Sequence, residues 1–180
     1  QATLSTALSL VLGAALALAL ARRARFPGRS LFIAALNLAS ALPAIVAVFG
    51  IVAVLGRAGW VGQAARTLGM DPGGWLYGLP GILIAHVFFN APIAARIFLA
   101  SLAAVPGEHW RLAAQLGMPP AAVFRFIDAP VLRREAPGVA ALVFLLCFTS
   151  FAIVLALGGG PSAATLEVAI YSAVRFDVDF

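Results

Sequence analysis

The chain has 180 residues, 63% of them hydrophobic and 11% charged, and its net charge of +5 is carried by arginine alone, with no lysine. At a mean hydropathy of +1.03, a soluble domain of this size is excluded, because it has too little interior to hide that much apolar surface. The arginines sit at the ends of apolar runs instead of along one open face, which points to a lipid bilayer and not to nucleic acid as the partner.

The first apolar run, about Leu4 to Ala21, has the length of a membrane span, close to the roughly 20 residues that cross about 30 Å of hydrocarbon. Arg22, Arg23, Arg25 and Arg29 follow it, with Pro27-Gly28 between the last two. A secretory signal would carry its positive charge ahead of the apolar run, so this is a span and not a leader. The second expected span runs from Leu31 to Leu55 and holds Asn37, Ser40 and a Pro43 that removes one backbone donor and kinks it. Residues 56–78 form an outer segment. Val61, Ala64, Ala65 and Leu68 recur at helical spacing, Asp71-Pro72-Gly73-Gly74 marks a turn, and Trp60, Trp75 and Tyr77 fit a headgroup aromatic belt.

The third span is expected over Leu79–Val105 and the fourth over Val139–Leu157, ended by Gly158-Gly159-Gly160-Pro161. Between them lies a charged, proline-punctuated island, residues 106–137. Ser162 to Phe180 reads as an interfacial segment leading to a further span, and a chain beginning at Gln1 reads as a piece of a longer polypeptide. The expected fold class is therefore an all-α integral membrane protein, a polytopic helical bundle of about four spans plus a C-terminal interfacial segment. The loops after the first and third spans carry eight arginines (Arg22, Arg23, Arg25, Arg29, Arg111, Arg125, Arg133, Arg134) against three on the other side (Arg57, Arg66, Arg175). The positive-inside rule then places the island in the cytoplasm.

Within the island Pro106-Gly107 stops the third span, and Glu108 opens a short helix where an acid complements the positive helix end. Trp110, Ala113, Ala114 and Gly117 fall near one face, and Gly117 suits the left-handed position past the helix end. Pro119-Pro120 starts a second helix whose inner face would hold Phe124 and Ile127. Pro130 is expected to close the unit, with Arg133-Arg134 returning the chain to the bilayer. A helix, tight turn and helix beside the membrane fits a cleft on a soluble partner and can transmit rigid-body motion. The competing reading is an interfacial loop whose arginines touch lipid phosphates; the residues alone leave both open.

Gly117, Phe124 and Pro130 keep the intervals of a known cytoplasmic signature: Glu-Ala-Ala, three residues, Gly, then about a dozen residues to a proline. In this loop the chain resembles the permeases of binding-protein-dependent ABC importers. It departs from the signature where Arg111 stands at the glutamate position and Leu112 at the first alanine; Ala113 agrees, and Glu108 lies one turn earlier. His86-Val87-Phe88-Phe89-Asn90-Ala91-Pro92, Gln115-Leu116-Gly117-Met118, Phe148-Thr149-Ser150-Phe151, and Gly158 to Pro161 with Thr165 to Tyr171 resemble the thiamine branch of that family and, next to it, the ferric-iron branch.

The resemblance covers most of the chain from Leu79 onward. It implies the type I importer permease fold, with residues 1–180 part of one transmembrane domain and 106–137 its coupling loop. Glu108, Arg111, Ala113, Ala114, Gly117, Phe124 and Pro130 would then meet a separate ABC ATPase subunit. It further implies a periplasmic or extracellular solute-binding protein, a second permease half fused in the full-length chain, and a multi-pass location in the bacterial inner membrane. The solute implied is thiamine, with ferric iron or polyamine as alternatives.

The polar residues inside the spans are candidates for the solute path: Asn37, His86, Asn90, Thr149 and Ser150. His86 and Asn90 are four apart and share a helix face. Such groups usually face the bundle interior or a cavity, where they line a path or bond to neighbouring helices. Arg96, near the cytoplasmic end of its span, is expected to snorkel or pair, and Asp128 and Glu135 to act as loop salt-bridge partners. Cys147, the lone cysteine, lies in an apolar run and implies neither disulfide nor metal. No cofactor, catalytic or metal-ligand set is expected, and no phosphate-binding Gly-x-x-x-x-Gly-Lys motif occurs. Two other classes stay in view: an integral membrane enzyme using His109 or His86, and an ion-coupled carrier. The carrier is disfavoured because none of the acids falls within an expected span.

Overall fold

The computed structural model describes residues 1–23, 25–69, 76–158, 170 and 174. The described residues form helices and no strand: α1 (Ala2–Arg22), α2 (Arg29–Ala41), α3 (Ala44–Leu55), α4 (Trp60–Thr67), α5 (Leu79–Ala103), α6 (Gly107–Gln115), α7 (Pro120–Val123), α8 (Ala129–Phe148) and α9 (Phe151–Leu157), with one wide π-turn at Phe124–Asp128. The expected turn at Asp71–Gly74, Trp75, and the tail from Gly159 lie outside the described residues, apart from Ile170 and Val174.

By length and composition α1, Ala44–Thr67 and α5 can each cross a membrane, and Pro120–Leu157 makes a fourth span if its bend is allowed. The all-α membrane bundle is therefore as expected, with two corrections to its spans. Residues 31–55 are not one helix. Leu42 is extended, with φ −67° and ψ 137°, because the ring of Pro43 disfavours the helical conformation in the residue before it. Residues 139–157 are not one helix either. The chain breaks at Thr149-Ser150 and bends by 54°.

α5 is the central helix. Half of its apolar window is buried, against 33% for α1 and 22% for Ala44–Thr67. Its C-terminal half packs with α1 and α8 through Ala17, Ala94, Phe98, Leu102, Val139, Val143 and Cys147. Its N-terminal half packs with α3 and α9 through Val48, Ile82, Ala85, Ile153, Val154 and Leu157. Gly78 N–H donates to Leu157 C=O at 2.6 Å, tying the start of α5 to the end of α9.

Lipid tails are as apolar as leucine, so close packing and not hydrophobic exclusion must hold α1 against α5. The sequence supplies the means: Ser5, Ser9, Gly13 and Ala17 recur every fourth residue and form the buried stripe of α1. Opposite them stand Ala91, Ala94 and Ala95, also buried. A Cβ on Gly13 would lie 2.6 Å from Ala94 Cβ and 3.0 Å from the Ala95 nitrogen, so the two backbones are as near as glycine permits. Contacts at Ser5–His86 and Gly13–Ala94 advance together along both chains, so α1 and α5 run parallel.

Candidate functional site

Two polar regions stand out on this frame. The first is at the arginine-rich end. Pro106 precedes α6, and Glu108 lies exposed in its first turn. After Leu116 the chain turns through Gly117 at φ +61°. Gly117 N–H donates to Ala114 C=O at 3.1 Å and Met118 N–H to Ala113 C=O at 3.0 Å. These are the two bonds of a Schellman cap, which needs the left-handed residue that glycine supplies without a Cβ penalty. The expected tight turn is therefore in place.

The second helix differs from expectation. Pro130 does not close it; residues 120–148 run on as one helical rod. Pro130 lacks the N–H that would bond Phe126 C=O, and its ring would strike that carbonyl. The wide turn at 124–128, closed by Ala129 N–H on Phe124 C=O, makes room for the ring. The island is thus rigidly continuous with the fourth span.

Its surfaces also differ from expectation. Ala113 is buried at 5% exposure, whereas Phe124, expected on the inner face, is 41% exposed. Arg111, Ala114, Gly117 and Pro130 are exposed. Leu112 and Leu116, one helical turn apart, are 56% and 68% exposed. These two leucines were missed as site residues, although their i,i+4 spacing was readable.

Beneath the island, Asp128 is almost fully buried and accepts a 2.9 Å bond from Arg22 Nη2. This pair ties the end of α1 to the entry of α8. Asp128 has the salt-bridge role expected for it.

The second region lies midway along α5. His86 is wholly buried, with Ser5 Oγ 2.8 Å from Nδ1 and Ser150 Oγ 2.6 Å from Nε2. Ser150 gives its hydroxyl proton to Cys147 C=O at 2.7 Å. Its oxygen must therefore accept from His86 Nε2–H. A neutral imidazole then offers a bare Nδ1, to which Ser5 O–H donates. Both ring nitrogens are spent on linking α1 to the break between α8 and α9. One helix turn on, Asn90 Nδ2 donates to Cys147 Sγ at 3.3 Å.

His86, Asn90, Thr149 and Ser150 line one open cleft of about 550 Å³ with Ser40, Phe89 and Phe151. Among the described residues, no charged side chain lines it. Asn37 is not brought to this cleft; it lies in the adjoining groove between α2 and α5. Thr149 uses its hydroxyl on Leu145 C=O at 2.9 Å.

Ser150→Ala should leave the His86 Nε2–H buried without an acceptor and lower stability by about 1–2 kcal/mol. The loss should shrink when His86→Leu is already present. Thermal unfolding of the four proteins of this double-mutant cycle measures it, and additive effects would remove the bond from the account.

No protein-family model matches the chain. Over 179 residues it is 51% identical to the thiamine transport system permease protein ThiP of Brucella abortus (strain 2308) and 52% identical to that of Escherichia coli (strain K12), each match covering 99% of this chain and 33% of the relative. The sulfate transport system permease protein CysW of Synechocystis sp. is 31% identical over 133 residues, 74% of this chain and 47% of that protein. Over nearly its whole length the chain is similar to permeases of ABC importers. The chain spans about a third of the length of the thiamine permeases it matches. The relatives are named as transport system permeases, which leaves the membrane-enzyme reading of His86 or His109 without support. The apolar helices and the permease relatives together make the chain part of a multi-pass membrane protein.

Proposed function

We propose that this chain is part of the membrane subunit of an ATP-driven thiamine importer in the bacterial inner membrane. The thiamine reading rests on relatives named as thiamine transport system permeases. The uncharged cleft with Phe89 and Phe151 supports it. Aromatic faces and hydroxyls suit a cationic aromatic solute, through cation–π contact and hydrogen bonding. Asn90, Thr149 and Ser150 line the path, Asn37 stands outside it in the adjoining groove, and His86 holds the bend at which Ser150 sits.

The coupling role is carried by one observation: an exposed helix–turn–helix on the arginine-rich end that continues without a break into the fourth span. Leu112, Leu116 and Phe124 offer apolar anchors, and Glu108, Arg111, Ala114, Gly117 and Pro130 frame them, with Ala113 buried beneath. Residues 106–137 act as the coupling loop of one transmembrane domain that includes all of 1–180. A separate ABC ATPase binds and hydrolyses nucleotide and grips this unit. Its closure moves the rod 120–148, and through the Arg22–Asp128 pair it also moves α1. A solute-binding protein delivers thiamine on the opposite face, and a second permease half completes the path.

Gly117→Val tests the lever. No atom lies within 4 Å of a Cβ at this position, so the cost is backbone strain alone, on the order of 1–2 kcal/mol. Transport per ATP hydrolysed by the reconstituted full-length complex should fall several-fold, while membrane insertion is kept. Gly117→Asn, which tolerates the left-handed region, should recover most of the ratio. An unchanged ratio in the valine variant would count against the docking role.

A further inference from the structure

We propose that the groove between α2 and α5 is a binding site for the phosphate of an anionic phospholipid, held by Arg29 and Arg96. The groove encloses about 830 Å³ and is lined by these arginines with Asn37, Ile33, Ile93 and Ile97 among its walls; among the described residues no acidic one lines it. Arg29 Nε is buried and meets no hydrogen-bond partner among the described residues. Arg96 makes no hydrogen bond or ion pair with any described residue. It stands seven residues before Ala103, the last residue of α5, roughly 10 Å along the helix axis from the arginine-rich end.

A guanidinium at that depth is costly without a counter-charge. The described acids do not supply one. Asp128 is taken by Arg22, and Glu108 and Glu135 do not line the groove. Two guanidinium groups are matched to a phosphate diester, whose paired oxygens accept their forked donors. The isoleucines favour a lipid over a free ion, since they give acyl chains an apolar wall along the groove. Basic pockets between helices on the cytoplasmic side bind anionic headgroups in this way. The site lies outside the coupling loop and adjoins the uncharged cleft at Ile93, and its test does not depend on which solute is carried.

The experiment uses the full-length transporter with its ATPase, purified in detergent. Native mass spectrometry reads retained phosphatidylglycerol against phosphatidylcholine, with inorganic phosphate as a competitor. Wild type should retain phosphatidylglycerol preferentially, and phosphate should not displace it. Arg29→Gln with Arg96→Gln should weaken retention roughly thirtyfold, and Arg96→Lys should weaken it less. Displacement by phosphate at comparable concentration would make this a free-anion site and overturn the lipid proposal. Equal retention by wild type and the double variant would overturn it too, as when a carboxylate from elsewhere in the polypeptide fills the groove. Should the double variant fail to fold, photoactivatable phosphatidylglycerol must label wild type within residues 29–37 or 93–100. Labelling confined to other segments sinks the proposal.

Discussion

Gly13→Leu is expected to separate α1 from α5 and abolish a folded transporter. The glycine sits where even a methyl group would fall inside the contact distance of Ala94 Cβ and of the α5 backbone. Ala94 and Ala95 are already small, so no flexible side chain can yield; one helix must move as a body. Overpacking of a tight contact costs about 1–3 kcal/mol and occasionally more. A leucine against backbone atoms belongs at the upper end of that range. The shift would also pull Ser5 from His86, since both contacts lie on the same stripe. Gly13→Ala should show a smaller loss of the same kind. The check is the yield of monodisperse protein in detergent and its unfolding midpoint. A leucine variant with wild-type values would mean that α1 and α5 do not meet along this face.

The second large effect concerns Arg22 and Asp128, and its asymmetry is the informative part. Asp128 is 2% exposed and Arg22 48% exposed. Arg22→Ala strands a buried carboxylate, a loss of up to about 3 kcal/mol once the half-exposed partner is allowed for. Asp128→Asn strands an arginine that can swing to water, so it should cost on the order of 1 kcal/mol or less. The double variant Arg22→Gln/Asp128→Asn should be more stable than Arg22→Ala, because no charge is left buried. Unfolding midpoints order the three. Equal losses from the two single changes would show that Asp128 is not dehydrated in the native protein.

The ends of α1 and α5 were readable within about two residues, because long apolar runs closed by arginines or Pro-Gly leave few choices. The split at Leu42-Pro43 was half readable: proline announces a disturbance, but whether it kinks or divides a helix depends on the packing around it. Pro130 misled for the same reason. A proline normally ends a helix, yet one wide turn at Phe124–Asp128 absorbs it. Nothing local announces the break at Thr149-Ser150; it is held by His86, a residue far away in sequence, which is itself held by Ser5. Partnerships of that kind are set by tertiary packing and leave no mark in spacing. The stripe Ser5, Ser9, Gly13, Ala17 did leave a mark, as a four-residue period of small side chains in an otherwise leucine-rich span. His86, Asn90, Thr149 and Ser150 of the third and fourth spans line one cleft. Asn37 fell elsewhere because α2 packs along the other half of α5.

The central claim is that the α6–α7 unit faces the cytosol and is gripped by the ATPase. Leu116→Cys in the full-length complex tests it most directly, since position 116 is exposed at the turn while Cys147 is buried. A membrane-impermeant maleimide should label this cysteine in inside-out vesicles and not in right-side-out ones. Addition of the ATPase should protect it, and a short bifunctional crosslinker should join the two subunits there. Labelling from the outer face, or labelling that the ATPase leaves unchanged, would contradict the account.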